Sequence, residues 1–203
     1  MDNNLSVIGW YHRGAYELDW LESLNELKLE GKVRHIGVSL HDSRPDQGLA
    51  VAKLGLVDSI QVLYNVFEQK PSDELFGAAE ATDTAIIARV PLDSGALTGS
   101  WNADTIKDWA EDDKRFQMYS KGDNFAKTLE RIEAVKAETS PHYENLAEAA
   151  LRFALSNKAV SAVIPGMRNK HEVDLNTVHS DGKEFPAELA EALKKHAWKH
   201  HFY

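Results

Sequence analysis

Arg168 stands where its type and spacing could do chemistry. In VIPGMRNKHEVDLN (163–176), an apolar run of Ala162, Val163 and Ile164 reads as buried and stops at Pro165-Gly166, and helical character begins at about Asn169. A helix N-terminus carries unpaired N–H groups and the positive end of the helix dipole, so it is a natural anion site. Gly166 lets backbone approach a ligand, and Arg168 offers a planar fork suited to phosphate oxygens. Asn169 can cap the helix in either case. The same pattern also fits a plain strand–turn–helix connection with a solvated arginine, and the stretch alone leaves both readings open.

Other residues invite chemistry less strongly. Tyr64 and Trp101 could line a substrate pocket; core packing suits Tyr64 better, whereas Trp101 falls in a long polar stretch and has the better functional claim. Glu111, Asp112 and Asp113 form a charge run of the kind that makes a solvated face. His196 and His200 are spaced i, i+4 as metal ligands can be, but no acidic third ligand stands at matching spacing. No Walker loop, G-x-G-x-x-G or G-x-S-x-G is present, which removes support for P-loop, Rossmann and α/β-hydrolase readings.

The elements that must position these residues alternate between short β-branched runs and amphipathic segments. Trp20, Leu24 and Leu27 recur at i, i+4, i+7 and predict a helix over about 16–30, stopped by Gly31. VRHIGVSL (33–40), SIQVLYN (59–65), AIIARVPL (85–92) and 160–164 read as strands. Between them, Ser43 or Asp46 starts a helix running to about Leu54, and SDELFGAAEATD (72–83) reads as a helix with Ser72 as N-cap. After the third strand comes a polar stretch, 93–121, longer than ordinary strand–helix connections, as functional lids or disordered loops are. Helices follow at about 122–137, around Leu146 to Ala154, after Arg168, and from Pro186 with Leu189 and Leu193 inward. Alternation of this kind predicts a single α/β domain over 1–203 with a parallel sheet under helical cover.

The 203 residues carry a net charge of −9, which argues against nucleic acid as a partner, since that needs clustered positive charge. With no cysteine, disulfides and thiolate chemistry are excluded and a reducing cytoplasm is the simplest home. No apolar run approaches the roughly 20 residues needed to span a bilayer, so no membrane partner is expected. The start, MDNNLSVIGWYH, lacks the basic region and apolar core of a signal peptide. A complete (β/α)8 barrel takes about 250 residues and eight strands, but only four strands are read here, and a fifth if LSVIGW (5–10) forms one. Such a partial barrel leaves open edges with unpaired backbone groups.

Four motifs, EGKVRHIGVS, DSIQVLYN, RVPLDSGALTG and VIPGMRNKHEVDLN, occur in an order and spacing that resemble the second half of the aldo-keto reductases. WYHRGAYELDW and DDKRFQMY look like one bacterial branch of that family, and the likeness covers about residues 16–203. The resemblance implies a partial (β/α)8 barrel of four to five parallel strands, with the site at the C-terminal strand ends, reducing aldehydes and ketones with NADPH. It implies that Ser39 and Gln61 hydrogen-bond the nicotinamide carboxamide and that Arg89 stacks on the nicotinamide ring. It further places Leu92, Asp93, Gly95 and Leu97 along the pyrophosphate, under a long loop at 93–121. Gly166 and Arg168 would hold the 2′-phosphate of NADPH, with Glu172 and Asn176 near the adenine.

The sequence departs from the family pattern at Leu40, where Asn often follows the serine, at Ser100 in place of a frequent Lys, and at Glu172 in place of a frequent Gln. The resemblance also implies a catalytic tyrosine, lysine, aspartate and histidine from the first half of the barrel. Tyr11 and His12 match none of these, so no catalytic residue is assigned, and a general acid for the carbonyl oxygen is missing from the reading. The expectation is an NADP-dependent carbonyl reductase's cofactor half, active with a small carbonyl substrate once completed. The competing expectations are a non-catalytic nucleotide-binding or scaffold protein that self-associates through its open edges, and a gene fragment or misread start.

Overall fold

A computed structural model describes residues 19–41 and 46–198. The expected strand at 5–10, Tyr11, His12, Ser43 and His200 lie outside these residues. Four strands form one sheet in the order β1-β2-β3-β4: Gly37–Ser39, Ser59–Leu63, Ala85–Arg89 and Val160–Ile164. β1 pairs with β2 and β2 with β3 in parallel, so Ser39 stands opposite Gln61 and Leu63 opposite Arg89. The helices are α1 (Asp19–Leu29), α2 (Asp46–Lys53), α3 (Leu75–Ala81), α4 (Lys114–Tyr119), α5 (Asn124–Thr139), α6 (Leu146–Ser156), α7 (Lys170–Thr177) and α8 (Ala187–Leu193). This is the α/β fold of a partial (β/α)8 barrel. Among the described residues no helix is long and apolar enough to cross a membrane.

The described residues fall into two compact units. The first holds those through Leu63, with Lys70–Arg89 and Ala159–Ala162. Its core is Leu40, Val51, Ala52, Ile60, Val62, Phe76, Ala79, Ile86 and Ala88. Leu40 fills the space beside Gly48, where a Cβ would come within 2.4 Å of Leu40 Cδ1. Asp58 ties α1 to the approach of β1: its carboxylate accepts the Ile36 N–H at 2.6 Å and Lys28 Nζ at 3.0 Å. Those two donors, the backbone N–H first, hold the Asp58 carboxyl below its ordinary range.

The second unit comprises Tyr64–Gln69, Val90–Lys158 and the described residues from Val163 onward. The stretch expected as a lid or disordered loop is folded into 3-10 turns at Asp93–Thr98 and Thr105–Asp108 and into α4. Trp101, expected at a substrate pocket, is buried instead. Its ring lies 4.9 Å from Trp109, 5.0 Å from Tyr119 and 5.8 Å from Phe125, an aromatic cluster that closes the segment on itself. Tyr64 packs in the core as expected, stacked on Phe153 at 5.7 Å. Ser72 does not cap α3; it ends a 3-10 turn, Lys70–Ser72, and α3 starts after Glu74 without a side-chain cap.

Arg152 of α6 is a buried ion-pair centre in this unit. Its side chain is 6% exposed, Nη1 and Nη2 reach the two carboxylate oxygens of Asp181 at 2.7 and 2.9 Å, and Nε donates to Glu148 at 2.8 Å. The guanidinium, then the Lys183 N–H, hold the Asp181 carboxyl well below the usual range. Arg152→Ala loses these charge-assisted bonds while Asp181 and Glu148 stay partly solvated, so it is expected to cost roughly 2 kcal/mol at neutral pH. Because the folded pKa of Asp181 is depressed, its contribution is complete above the unfolded value of about 3.9 and declines as pH falls below that. The melting temperature of Asp181→Asn will therefore fall short of the wild type at pH 7, and the gap will narrow toward pH 2.

Candidate functional site

Parallel pairing brings the C-terminal ends of β1, β2 and β3 to one edge, and three of the expected site residues meet there. Gln61 Nε2 lies 3.5 Å from Ser39 Oγ, and Ser39, Gln61 and Arg89 are all half-buried. Arg89 Nη2 donates to the Leu40 carbonyl at 2.7 Å, so the guanidinium reaches from the end of β3 to the chain just after β1. That bond anchors one end of the guanidinium. The departure at Leu40 has a structural reason: the side chain serves the packing against α2, and only its backbone serves the strand end. The edge thus offers a side-chain amide, a hydroxyl and an anchored guanidinium, a set suited to a planar carboxamide.

The loop after β3 enters left-handed backbone at Val90 and again from Asp93 to Gly95. Val90, Asp93 and Ser94 have φ of 56°, 47° and 56°, and Gly95 has 107°. For the β-branched Val90 such a conformation is a genuine outlier, of the kind held only when surroundings over-determine it. Asn65 supplies that hold. Its Nδ2 donates to the Val90 carbonyl at 2.9 Å, while its Oδ1 accepts the Phe67 and Glu68 N–H groups at 2.8 and 2.9 Å. Asn65 is fully buried. Neither Asn65 nor Val90 was expected at the site; the signal was the Asn closing SIQVLYN, directly past the strand end. Asp93 and Leu97 are buried, with Tyr119 Oη 3.5 Å from Asp93 Oδ2, so toward any ligand this loop presents backbone in place of those two side chains. Leu92 and Gly95 are half-buried, and the Trp101 ring stands 3.5 Å behind the position a Gly95 Cβ would take.

The segment after β4 folds as its capping residues predict. Asn169 caps α7, accepting the Glu172 N–H at 3.0 Å. Glu172 reaches back: Oε2 accepts the Arg168 N–H at 2.7 Å, and Oε1 accepts Arg168 Nη2 at 3.0 Å and Asn169 Nδ2 at 3.2 Å. The Arg168 N–H, then its guanidinium, hold the Glu172 carboxyl below its ordinary range. Asn176 Nδ2 donates to the Gly166 carbonyl at 3.1 Å. Gly166, Arg168, Glu172 and Asn176 are thus tied into one hydrogen-bonded turn. The apolar run before it is not buried: Ser161, Ala162 and Ile164 are exposed, because β4 lies at an edge of the sheet.

The remaining candidates resolve differently. Asp113 caps α4 through the Arg115 N–H and pairs with the Arg115 guanidinium, while Glu111 and Asp112 are solvated. His196 is buried, and burial holds its imidazole below the ordinary value. Among the described residues no group of three or more His, Asp or Glu is placed to hold a metal.

The Asn65 hold on Val90 has a measurable consequence. Asn65→Ala leaves the Val90 carbonyl and two N–H groups without this partner, and stranded buried groups cost roughly 1–3 kcal/mol each. A drop of several degrees in melting temperature is expected, with faster proteolysis at residues 90–95.

The sequence model of the Aldo/keto reductase family matches residues 4–197. The NADH-specific methylglyoxal reductase of Escherichia coli (strain K12) is 26% identical over 181 residues, 85% of this chain and 53% of that protein. The holo form of aldo-keto reductase AKR11C1 from Bacillus halodurans matches with a TM-score of 0.66 at 20% identity, over 90% of this chain and 56% of the other. The glycerol dehydrogenase AKR11B4 of Gluconobacter oxydans matches with a TM-score of 0.65 at 26% identity, over 87% and 52%. The chain spans about half the length of the curated relatives it matches. With the family's motifs standing at the ends of β1, β2 and β3 and after β4, and its sequence model matched along nearly the whole chain, the protein belongs to the aldo/keto reductase family.

Proposed function

We propose that this protein supplies the part of a carbonyl reductase that holds a reduced nicotinamide dinucleotide. The observation that carries the reading is the gathering of Ser39, Gln61 and Arg89 at the C-terminal ends of three parallel strands. Ser39 and Gln61 address the nicotinamide carboxamide, and Arg89 presents its plane to the ring. Leu92, Asp93, Gly95 and Leu97 contribute the backbone of their turn to the pyrophosphate. Gly166 and Arg168 meet a 2′-phosphate when the cofactor is NADPH, and Glu172 and Asn176 address the adenosine end. NADH belongs in the reading as well, since the Escherichia coli relative is named for it.

Hydride transfer to a carbonyl also needs a proton delivered to the oxygen. No residue of this chain is assigned that role, so turnover is proposed only for the site completed with such an acid. A second reading rests on the open edge: Ile164, Met167, Val173, Leu175 and Val178 expose large apolar side chains within one short segment. Self-association covering that segment would make this a nucleotide-binding scaffold. Sedimentation equilibrium separates the two, because a monomer at micromolar concentration overturns the scaffold reading.

The cofactor reading is tested by following nicotinamide fluorescence as the protein is titrated with NADPH and NADH. Arg168 is exposed and already paired with Glu172, so its pull on a phosphate is worth at most about 1 kcal/mol, and Arg168→Ala is expected to weaken NADPH binding by roughly threefold to fivefold and to leave NADH within about twofold. No saturable binding of either dinucleotide would overturn the proposal.

A further inference from the structure

We infer that Glu172 sets the choice between the two dinucleotides, its carboxylate occupying the Arg168 fork and so opposing a 2′-phosphate in favour of NADH. The inference rests on the proposed cofactor reading and deepens it. An arginine at this position is useful to a phosphate because it offers positive charge and directed N–H groups. Here part of both is already engaged. The Arg168 backbone N–H and one guanidinium nitrogen donate to the two oxygens of the same carboxylate, at 2.7 and 3.0 Å.

The arrangement is asymmetric in a telling way. Arg168 is 81% exposed along its side chain, whereas Glu172 is 25% exposed, so the carboxylate is the better anchored partner. Glu172 is also fixed by its own place in the helix: its N–H is held by Asn169 Oδ1 at 3.0 Å and its Oε1 by Asn169 Nδ2 at 3.2 Å. An anion arriving at the start of α7 finds that position taken by an anion of the protein. The guanidinium has further donors, but a phosphate dianion close to it would stand near the Glu172 oxygens. Like charges at such distances repel, and the repulsion penalises only the ligand that carries the extra phosphate. NADH, with hydroxyls at that place, meets an acceptor instead.

Glu172→Gln keeps an acceptor oxygen for the Arg168 N–H and removes the charge. The test titrates wild type and Glu172→Gln with NADH and with NADPH at low salt. Wild type is expected to bind NADH the more tightly. The variant is expected to gain about tenfold for NADPH relative to NADH, and a circular dichroism spectrum and melting temperature like those of the wild type show that it is folded. A wild type that prefers NADPH, or an NADPH-to-NADH affinity ratio left within about twofold by the substitution, would overturn the inference while the cofactor reading stands. Binding of neither dinucleotide to either protein would overturn both.

Discussion

The arrangement depends on parallel strand pairing in register. Strands that run the same way end on the same side, and the pairings of Ser39 with Gln61 and of Leu63 with Arg89 set the stagger of those ends. Side chains alternate along each strand, so the residues at Ile60, Val62, Ile86 and Ala88 fill the core while Gln61 and Arg89 are left half-buried on the other face. A one-residue slip would exchange those faces. The polar groups at the edge are therefore positioned by the same burial that stabilises the sheet.

Within each unit the chain meets its polar obligations with single residues that serve several groups. Asp58 collects a backbone N–H and a lysine, Asn65 bonds three backbone groups, and Arg152 links two carboxylates. In each case the residue joins segments distant in sequence. Asn65 stabilises a Val90 conformation that the residue would not adopt unaided. Gly95 then continues the left-handed run at no steric cost, braced by Trp101.

Much of this was legible in the sequence. The strand at 160–164, the Asn169 cap, the inward Leu189 and Leu193 and the core role of Tyr64 follow from local chemistry, and the structure has them. Tertiary closure was not legible. Trp101, Trp109, Tyr119 and Phe125 follow no helical or strand period, because turns separate them, so a packed segment read as a lid. Apolar composition named β4 a strand but could not say what covers it, and an edge strand stays exposed. The Arg168–Glu172 pair sits at i, i+4, a spacing open to sequence reading.

The central claim is that the strand ends form a cradle for the nicotinamide. Titrating isotope-labelled protein with NADH and reading the Gln61 side-chain amide and the Ser39 backbone amide by NMR tests it most directly. Saturable shifts of both, at one shared affinity, are the predicted result. Saturable NADH binding that leaves both signals unmoved would contradict the account.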